Sequence, residues 1–181
     1  MNPVSVLDYR YGTEEMRDIF RADSYLGFLM EVEATLSEVQ ESLGLIPKKS
    51  SKDIRKAITQ VTRKRVEEIE DEINHDIMAV VKAIEEKSGD SGKWIHFGAT
   101  SYDIVDTARS LQHKKALKLI EKAIESLLKS LGILAKKHKN SVMLGRTHGQ
   151  WATPITFGLK IAVFLSELNR HRERLNELKP R

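Results

Sequence analysis

The chain has 181 residues, no cysteine, and a formal net charge of +4 from 30 Lys and Arg against 26 Asp and Glu. These figures exclude disulfides, a thiolate nucleophile and Cys-ligated metals, and hydrophobic residues at 40% argue against disorder. The apolar runs fall short of a membrane span of ~20 residues, and no signal peptide is visible. We therefore expect a cytoplasmic protein with no membrane contact, whose mixed charges favour an anionic small molecule over nucleic acid.

The first half of the chain has the spacing of amphipathic helices. Thr13 predicts an N-cap, and apolar residues three or four positions apart within 29–43 predict a helix that stops at Gly44. Ser50 and Asp53 resemble a capping box, which predicts that the next helix begins there. A further apolar series continues this periodicity, so we expect the whole N-terminal part to be helical.

The Ser88–Gly92 segment interrupts this pattern and predicts a domain boundary. We expect a small helical N-terminal domain, residues 1–92, and a second domain, residues 93–181. After a loop, the second domain has a predicted helix over Val105–His138, which at ~1.5 Å per residue is about 50 Å long. Such a helix buries its apolar stripe only against helices of similar length. The predicted fold is therefore all-α, with the first long helices of an incomplete central bundle.

An irregular segment, residues 140–153, is predicted after the long helix, and Thr153 and Pro154 predict the N-cap and first position of the last helix. The loops before and after the long helix would then lie at its opposite ends. If both loops serve one site, they come from different subunits. We therefore expect an oligomer with composite sites.

Two polar features stand in the N-terminal part. Segment 8–13 contains Arg10 and Tyr11, which offer a guanidinium fork and an aromatic face, although exposed loop residues are the simpler interpretation. His75 follows Val66 by nine positions, which on one continuous helix is about 180° from the apolar stripe. This spacing favours either a solvated histidine or a histidine that faces a cleft.

Two further polar loops flank the long helix. Thr100 and Ser101 stand near its N-terminus, where hydroxyl groups and free N–H groups favour anions. Thr147, His148 and Gln150 place an imidazole among glycines and hydrogen-bonding side chains. The 6 histidines lack helical metal-ligand spacing, and no phosphate-binding glycine motif is present, so we expect no metal site.

Four segments, in chain order, resemble motifs of the adenylosuccinate lyase family in the fumarase/aspartase superfamily. They are Arg10–Tyr11 with Glu15–Met16, Glu72–Asp76, Gly98–Ala108, and Gly145–Gln150 with Ala152, Pro154 and Gly158. The resemblance implies β-elimination of fumarate from adenylosuccinate to give AMP, and from the succinyl-carboxamide intermediate (SAICAR to AICAR) of purine synthesis. It implies no cofactor and a homotetramer whose active sites are shared between subunits.

The resemblance also implies roles for individual residues. His148 would be the general acid, and His75 would be catalytic by supporting the reacting region. Asp103 and Asp106 would cap and orient a loop, and His96 is a further candidate. The substrate-binding residues would be Arg10 and Tyr11 for the phosphate, Thr100, Ser101, Thr147 and Gln150 for the succinyl carboxylates, and Asp76.

The chain departs from the family pattern in two places. Tyr102 replaces a small hydroxyl residue, and no segment matches the Ser-Ser-x-Met-Pro-x-Lys loop that supplies the catalytic base. We therefore expect an N-terminal fragment that is inactive alone. The alternatives are another lyase of the superfamily, such as argininosuccinate lyase, and a non-enzymatic helical interaction module.

Overall fold

The computed structural model describes residues 10–180, and within that range the chain is mostly helical. The elements are α1 Glu14–Phe20, α2 Ala22–Ser42, α3 Ser50–Ala57, α4 Arg63–Ile73, α5 Asp76–Ser88, a 3₁₀ helix Gly89–Trp94, α6 Ser101–Lys137, β1 Val142–Thr147, β2 Gln150–Thr156 and α7 Phe157–Leu178. The predicted all-α class is confirmed, with one small hairpin added. None of the helices in this range is both long enough and apolar enough to cross a membrane.

The first compact unit extends to Lys115, well beyond the Ser88–Gly92 segment. Its core joins α2, α3, α4 and α5 to the first turns of α6, because Ile104 and Ala108 of α6 are buried with Ile84 of α5. Gly92 itself packs closely, since a Cβ there would lie 2.8 Å from Cγ of Glu85. The interruption of helical periodicity therefore lies inside a packed unit, and the two compact units divide within α6.

The start of α1 and the end of α2 follow local sequence signals. Thr13 caps α1 as predicted, with Oγ1 accepting from the N–H of Met16 at 3.3 Å. The stop at Gly44 is also confirmed: its φ is +71°, and the N–H of Leu45 donates to the carbonyl of Gln40 at 2.9 Å. This is the Schellman arrangement, in which a left-handed glycine lets the chain turn back on the last carbonyls.

The predicted capping box at Ser50 is wrong. The N-cap of α3 is Lys49, and Ser50 is the first, buried residue of the helix. The N–H groups of Lys49 and Ser51 instead donate to the carboxylate of Glu41, at 3.0 and 2.8 Å. Hydrogen bonding from the Ser51 side chain, followed by these two N–H groups, lowers the pKa of Glu41. An acidic residue of α2 thus replaces the local cap that the sequence indicated.

The second compact unit begins at Ala116 and contains the rest of α6, the hairpin and α7. The start of α7 lies against the end of α6, because a Cβ on Gly158 would lie 2.6 Å from the carbonyl oxygen of Ala135. Near the other end, Nζ of Lys179 lies 2.6 Å from Oε1 of Glu121. The two helices are therefore antiparallel.

Two predictions for the segment between these helices are wrong. Residues 140–153 are not irregular, since β1 and β2 pair antiparallel from Val142 opposite Thr156 to Thr147 opposite Gln150. Thr153 and Pro154 belong to β2 and do not start the helix. Thr156 is the N-cap of α7, and its Oγ1 accepts from the N–H of Leu159 at 3.1 Å. Strand pairing with β1 therefore overrides the local Thr-Pro signal.

Candidate active site

The loop between the 3₁₀ helix and α6 holds Thr100 and Ser101 at the start of the long helix. The N–H of Thr100 donates to Oδ2 of Asp103 at 2.8 Å, and the N–H of Asp103 donates to the carbonyl of Thr100 at 3.1 Å. The predicted capping role of Asp103 is therefore confirmed. Thr100 is exposed and Ser101 is half-buried, so both hydroxyl groups lie near the positive end of the α6 dipole.

His96 lies at the beginning of this loop and is held by a buried carboxylate. Its Nδ1 is 2.6 Å from Oε1 of Glu33, and the His96 side chain is 12% exposed whereas Glu33 is fully buried. Burial raises the pKa of the Glu33 carboxyl, and its hydrogen bond to His96 opposes that rise. The next residue is held as well, because Nε2 of Gln40 donates to the carbonyl of Phe97 at 2.6 Å.

Glu33 and Gln40 are buried, although they lie outside the apolar stripe that predicts the buried face of α2. Val39 and Leu43 belong to that predicted stripe, yet their side chains are 51% and 68% exposed. The buried face continues from Leu29 through polar residues, to positions 33, 37 and 40. Their spacing with Leu29 at helical intervals was a visible signal, but their polarity concealed it.

His75 lies at a break between two helices, so the prediction of one continuous helix is wrong. Asn74 has φ +53° and ends α4, and His75 is the N-cap of α5. Its Nδ1 accepts from the N–H of Met78 at 3.3 Å, which places the proton of the neutral ring on Nε2. Asp76 accepts from the N–H of Ile77 at 2.8 Å, and its Oδ1 is 3.6 Å from Nδ1 of His75. Both side chains are exposed. The sequence also predicts that His75 points away from the apolar stripe, but on the assumption of one continuous helix.

His148 occupies the turn of the hairpin. Thr147 and Gln150 are paired across it, and His148 and Gly149 have φ of +52° and +73°. Positive φ at both central residues is typical of a type I′ turn, for which Asn-Gly is the usual choice. A histidine in this conformation costs roughly 1–2 kcal/mol, a strain that clusters at functional sites. The turn exposes Thr147, His148 and Gln150 together.

Gly145 makes the hairpin geometry possible. It lies where the register shifts between Leu144 and Arg146. A Cβ on Gly145 would lie 2.4 Å from the carbonyl oxygen of Thr153, so no other residue fits without moving β2. The bulge and the turn together fix where the imidazole is carried.

Arg10 and Tyr11 are exposed residues just before α1. The guanidinium carbon of Arg10 lies 5.9 Å from the centre of the Tyr11 ring. Residues 8 and 9 of the same predicted segment lie outside the described residues. Arg17 fixes the turn that follows, since its Nη1 donates to the carbonyl of Gly12 at 3.1 Å.

The predicted site residues thus form local groups. The first unit contains the His96–Ser101 loop, the His75–Asp76 helix junction and the Arg10–Tyr11 segment, and the second contains the Thr147–Gln150 turn. In the part of the chain that is described, no cluster of three or more His, Asp or Glu side chains is arranged to hold a metal ion.

Comparison with known proteins decides the family. Residues 8–181 match the protein family described as lyase. The chain belongs to the lyase family. This lyase chain is 50% identical over 180 residues to the adenylosuccinate lyase of Pyrococcus abyssi, covering 98% of this chain and 40% of that protein. It is 45% identical to the adenylosuccinate lyase of Methanocaldococcus jannaschii, covering 98% of this chain and 39% of that protein.

More distant relatives of the lyase chain have other names. The N-acetyl-S-(2-succino)cysteine lyase of Enterococcus italicus is 38% identical, with 97% of this chain and 39% of that protein covered. Among solved structures, a fumarate lyase from Mesorhizobium matches with TM-score 0.87 at 38% identity over 94% of this chain and 42% of that one. The 3-carboxy-cis,cis-muconate lactonizing enzyme of Pseudomonas putida matches with TM-score 0.87 at 33% identity, over 97% and 41% of the two chains. The lyase chain spans about 40% of the length of the curated relatives.

Proposed function

We propose that this chain is the N-terminal part of an adenylosuccinate lyase. The whole enzyme would release fumarate from adenylosuccinate to give AMP, and from SAICAR to give AICAR, in cytoplasmic purine synthesis. The observation that carries this proposal is the 50% identity to an adenylosuccinate lyase over 98% of the chain. The lyase family match counts against the alternative of a non-enzymatic helical module.

The departing nitrogen needs a proton, and we assign its delivery to His148. An imidazole is suited to this step because its charge changes near neutral pH. The type I′ turn carries the ring on a short, fixed loop between the paired residues Thr147 and Gln150. The hydroxyl and amide of these two residues would hold a succinyl carboxylate beside the ring, so that the acid meets the carbon–nitrogen bond that breaks.

The other carboxylate would be bound at the start of α6. When a base removes a proton from the carbon next to a carboxylate, the electron pair left behind delocalises and negative charge builds on that carboxylate. Fixed hydrogen-bond donors that face the carboxylate then lower the barrier. Thr100 and Ser101 offer hydroxyl groups at the positive end of a 37-residue helix. Asp103 occupies the N–H of Thr100 and so fixes the loop without meeting the substrate.

The remaining predicted residues would serve the nucleotide. Arg10 and Tyr11 are exposed neighbours whose guanidinium and ring suit a phosphate beside a planar base. His75 and Asp76 cap and begin α5, and Nε2 of His75 remains available for a substrate hydrogen bond. His96 has its Nδ1 engaged by Glu33, and its Nε2 would be a further candidate for contact with the substrate.

The second unit supports assembly into a homotetramer with shared sites. Its paired helices leave large apolar side chains in water, although helices of this length normally bury them. The exposed set includes Ile120, Leu127, Leu159, Val163 and Phe164. Copies of this unit would cover these faces and bring residues of different subunits into one site.

A substrate panel tests the proposal on the protein that carries this chain at its natural length. We expect adenylosuccinate and SAICAR to be consumed with release of fumarate. N-acetyl-S-(2-succino)cysteine and argininosuccinate serve as matched controls, because each would also yield fumarate. Turnover of either control without turnover of adenylosuccinate would overturn the assignment and name the correct lyase.

A further inference from the structure

Helix α2 holds the loop before α6 through two buried polar side chains. Glu33 bonds to the His96 ring at 2.6 Å, and the amide of Gln40 donates to the carbonyl of Phe97 at 2.6 Å. The two residues are seven positions apart, which places them on one face of α2. Adjacent residues of the loop are therefore fixed from the same helix, one through its side chain and one through its backbone.

The Glu33 carboxyl has an unusual position for a merely structural group. It is fully buried, and its second oxygen, Oε2, has no hydrogen-bond partner among residues 10–180. Burying a carboxyl group that is not fully hydrogen-bonded costs considerable free energy of folding. An apolar residue would fill the same space without that cost. The side-chain partner of the Glu33 carboxyl among residues 10–180 is the His96 ring.

The backbone at His96 shows what these contacts hold in place. His96 has φ +60°, a conformation that residues other than glycine adopt reluctantly. Gly98, two residues on, also has a positive φ of +72°. The loop thus turns sharply just before Thr100, and its path depends on groups that lie outside it.

We propose that Glu33 is a positioning residue that fixes the proton of His96 on Nδ1 and leaves Nε2 as the nitrogen available to substrate. A carboxylate can only accept at this contact, so the ring nitrogen that faces it must carry hydrogen. Gln40 holds the Phe97 carbonyl in place, so that the distance between the His96 ring and the Thr100 hydroxyl stays constant. The substrate contact rests on the proposed function, whereas the location of the proton does not.

Nitrogen NMR of the 181-residue chain at neutral pH tests the location of the proton. We expect the wild-type His96 Nδ1 to show a directly bonded proton. In Glu33→Ala that proton should be lost from Nδ1, because the Nε2–H form prevails in a free imidazole. Glu33→Gln should restore it, since the amide oxygen also accepts. An unprotonated Nδ1 in the wild type, or an unchanged Nδ1 in Glu33→Ala, would overturn the proposal.

Ser37→Ala is the matched control. Ser37 is buried on the same face of α2, but its hydroxyl donates to the backbone carbonyl of Glu33 at 3.0 Å and not to the loop. The His96 signals should be the same in this variant as in the wild type. If Glu33→Ala does not fold, Glu33→Gln alone decides: a Nδ1 proton shifted from its wild-type resonance supports the contact, and an identical resonance refutes it.

A kinetic measurement on the complete enzyme separates this proposal from the proposed function. With adenylosuccinate as substrate, Glu33→Ala should lower kcat/KM by about tenfold or more through misplacement of the ring. Glu33→Gln should recover most of this loss, and Ser37→Ala should leave kcat/KM unchanged. No turnover by the wild type would refute the proposed function and leave the NMR result standing. Normal turnover by Glu33→Ala would refute the positioning role and leave the function standing.

Discussion

Arg65 and Glu86 form a two-pronged ion pair between α4 and α5, with Nε 3.0 Å from Oε2 and Nη2 2.7 Å from Oε1. The hydrogen bonds from Arg65 lower the pKa of Glu86. A carboxyl with a lowered folded-state pKa stabilises the fold above its unfolded pKa of ~4.3, and that contribution disappears as the pH falls through the folded pKa. We expect Glu86→Gln to lower the free energy of unfolding slightly at pH 7 and not at pH values below the folded pKa.

Urea unfolding at pH 7 and at acid pH measures this difference. The pair is partly exposed, so added salt should weaken the effect at pH 7. Glu70→Gln is the control, because Glu70 forms no ion pair within the described residues. An effect of Glu86→Gln that does not depend on pH would contradict the prediction.

Gly92 and Gly27 should respond oppositely to alanine. A Cβ on Gly92 would lie 2.8 Å from Cγ and 3.0 Å from the backbone oxygen of Glu85, so Gly92→Ala should destabilise by about 1–3 kcal/mol. Gly27 lies within α2 with nothing within 4 Å of its would-be Cβ, and Gly27→Ala should stabilise by about 0.5–1 kcal/mol. Thermal unfolding of both variants checks the signs, and equal effects would refute the close packing at Gly92.

Two threonines distinguish the observed start of α7 from the predicted one. Thr156→Ala removes the bond to the N–H of Leu159 and should cost about 1 kcal/mol in the free energy of unfolding. Thr153→Ala, at the position that the Thr-Pro signal favoured, should cost less because Thr153 caps no helix. Urea titration of the two variants compares them, and a larger loss for Thr153→Ala would favour the earlier start.

His148 should show a conflict between stability and activity. His148→Asn keeps a residue that tolerates positive φ in a type I′ turn, so we expect equal or greater thermal stability. In the complete enzyme, the loss of the imidazole should reduce kcat roughly 10²–10⁴-fold. His171→Asn, on the exposed surface of α7, is the control and should leave kcat unchanged. A reduction of less than tenfold in His148→Asn would remove His148 from the role of general acid.

Local signals predicted the structure correctly at Thr13 and Gly44, whose partners lie close in the sequence. Thr13 and Gly44 act on groups within five residues, and both predictions are confirmed. The cap of α3 depends on Glu41, and the buried face of α2 depends on Phe97, which is 57 positions from Gln40. Contacts at that separation are decided by packing, which helical periodicity does not describe.

For the candidate site, too, the sequence indicated residue types but not the geometry that depends on packing. Segments that carry Thr100, His75 and His148 were recognised by their residues, whereas their backbone geometry was not. The break at Asn74 arises from a left-handed residue that ends α4, and the hairpin arises from strand pairing across the His148–Gly149 turn. The signal for that turn was Gly149, the second of two residues that separate a segment containing Val142 and Thr147 from one containing Thr153 and Ile155.

The two-residue turn fixes the register of the hairpin. Inserting or deleting one residue between Thr147 and Gln150 would shift the pairing by one, and every side chain of β2 would exchange faces. Trp151, now 82% exposed, would be directed to the opposite side of the ribbon. The length of this segment is therefore as tightly constrained as its composition, and natural variants of the chain should keep two residues between Thr147 and Gln150.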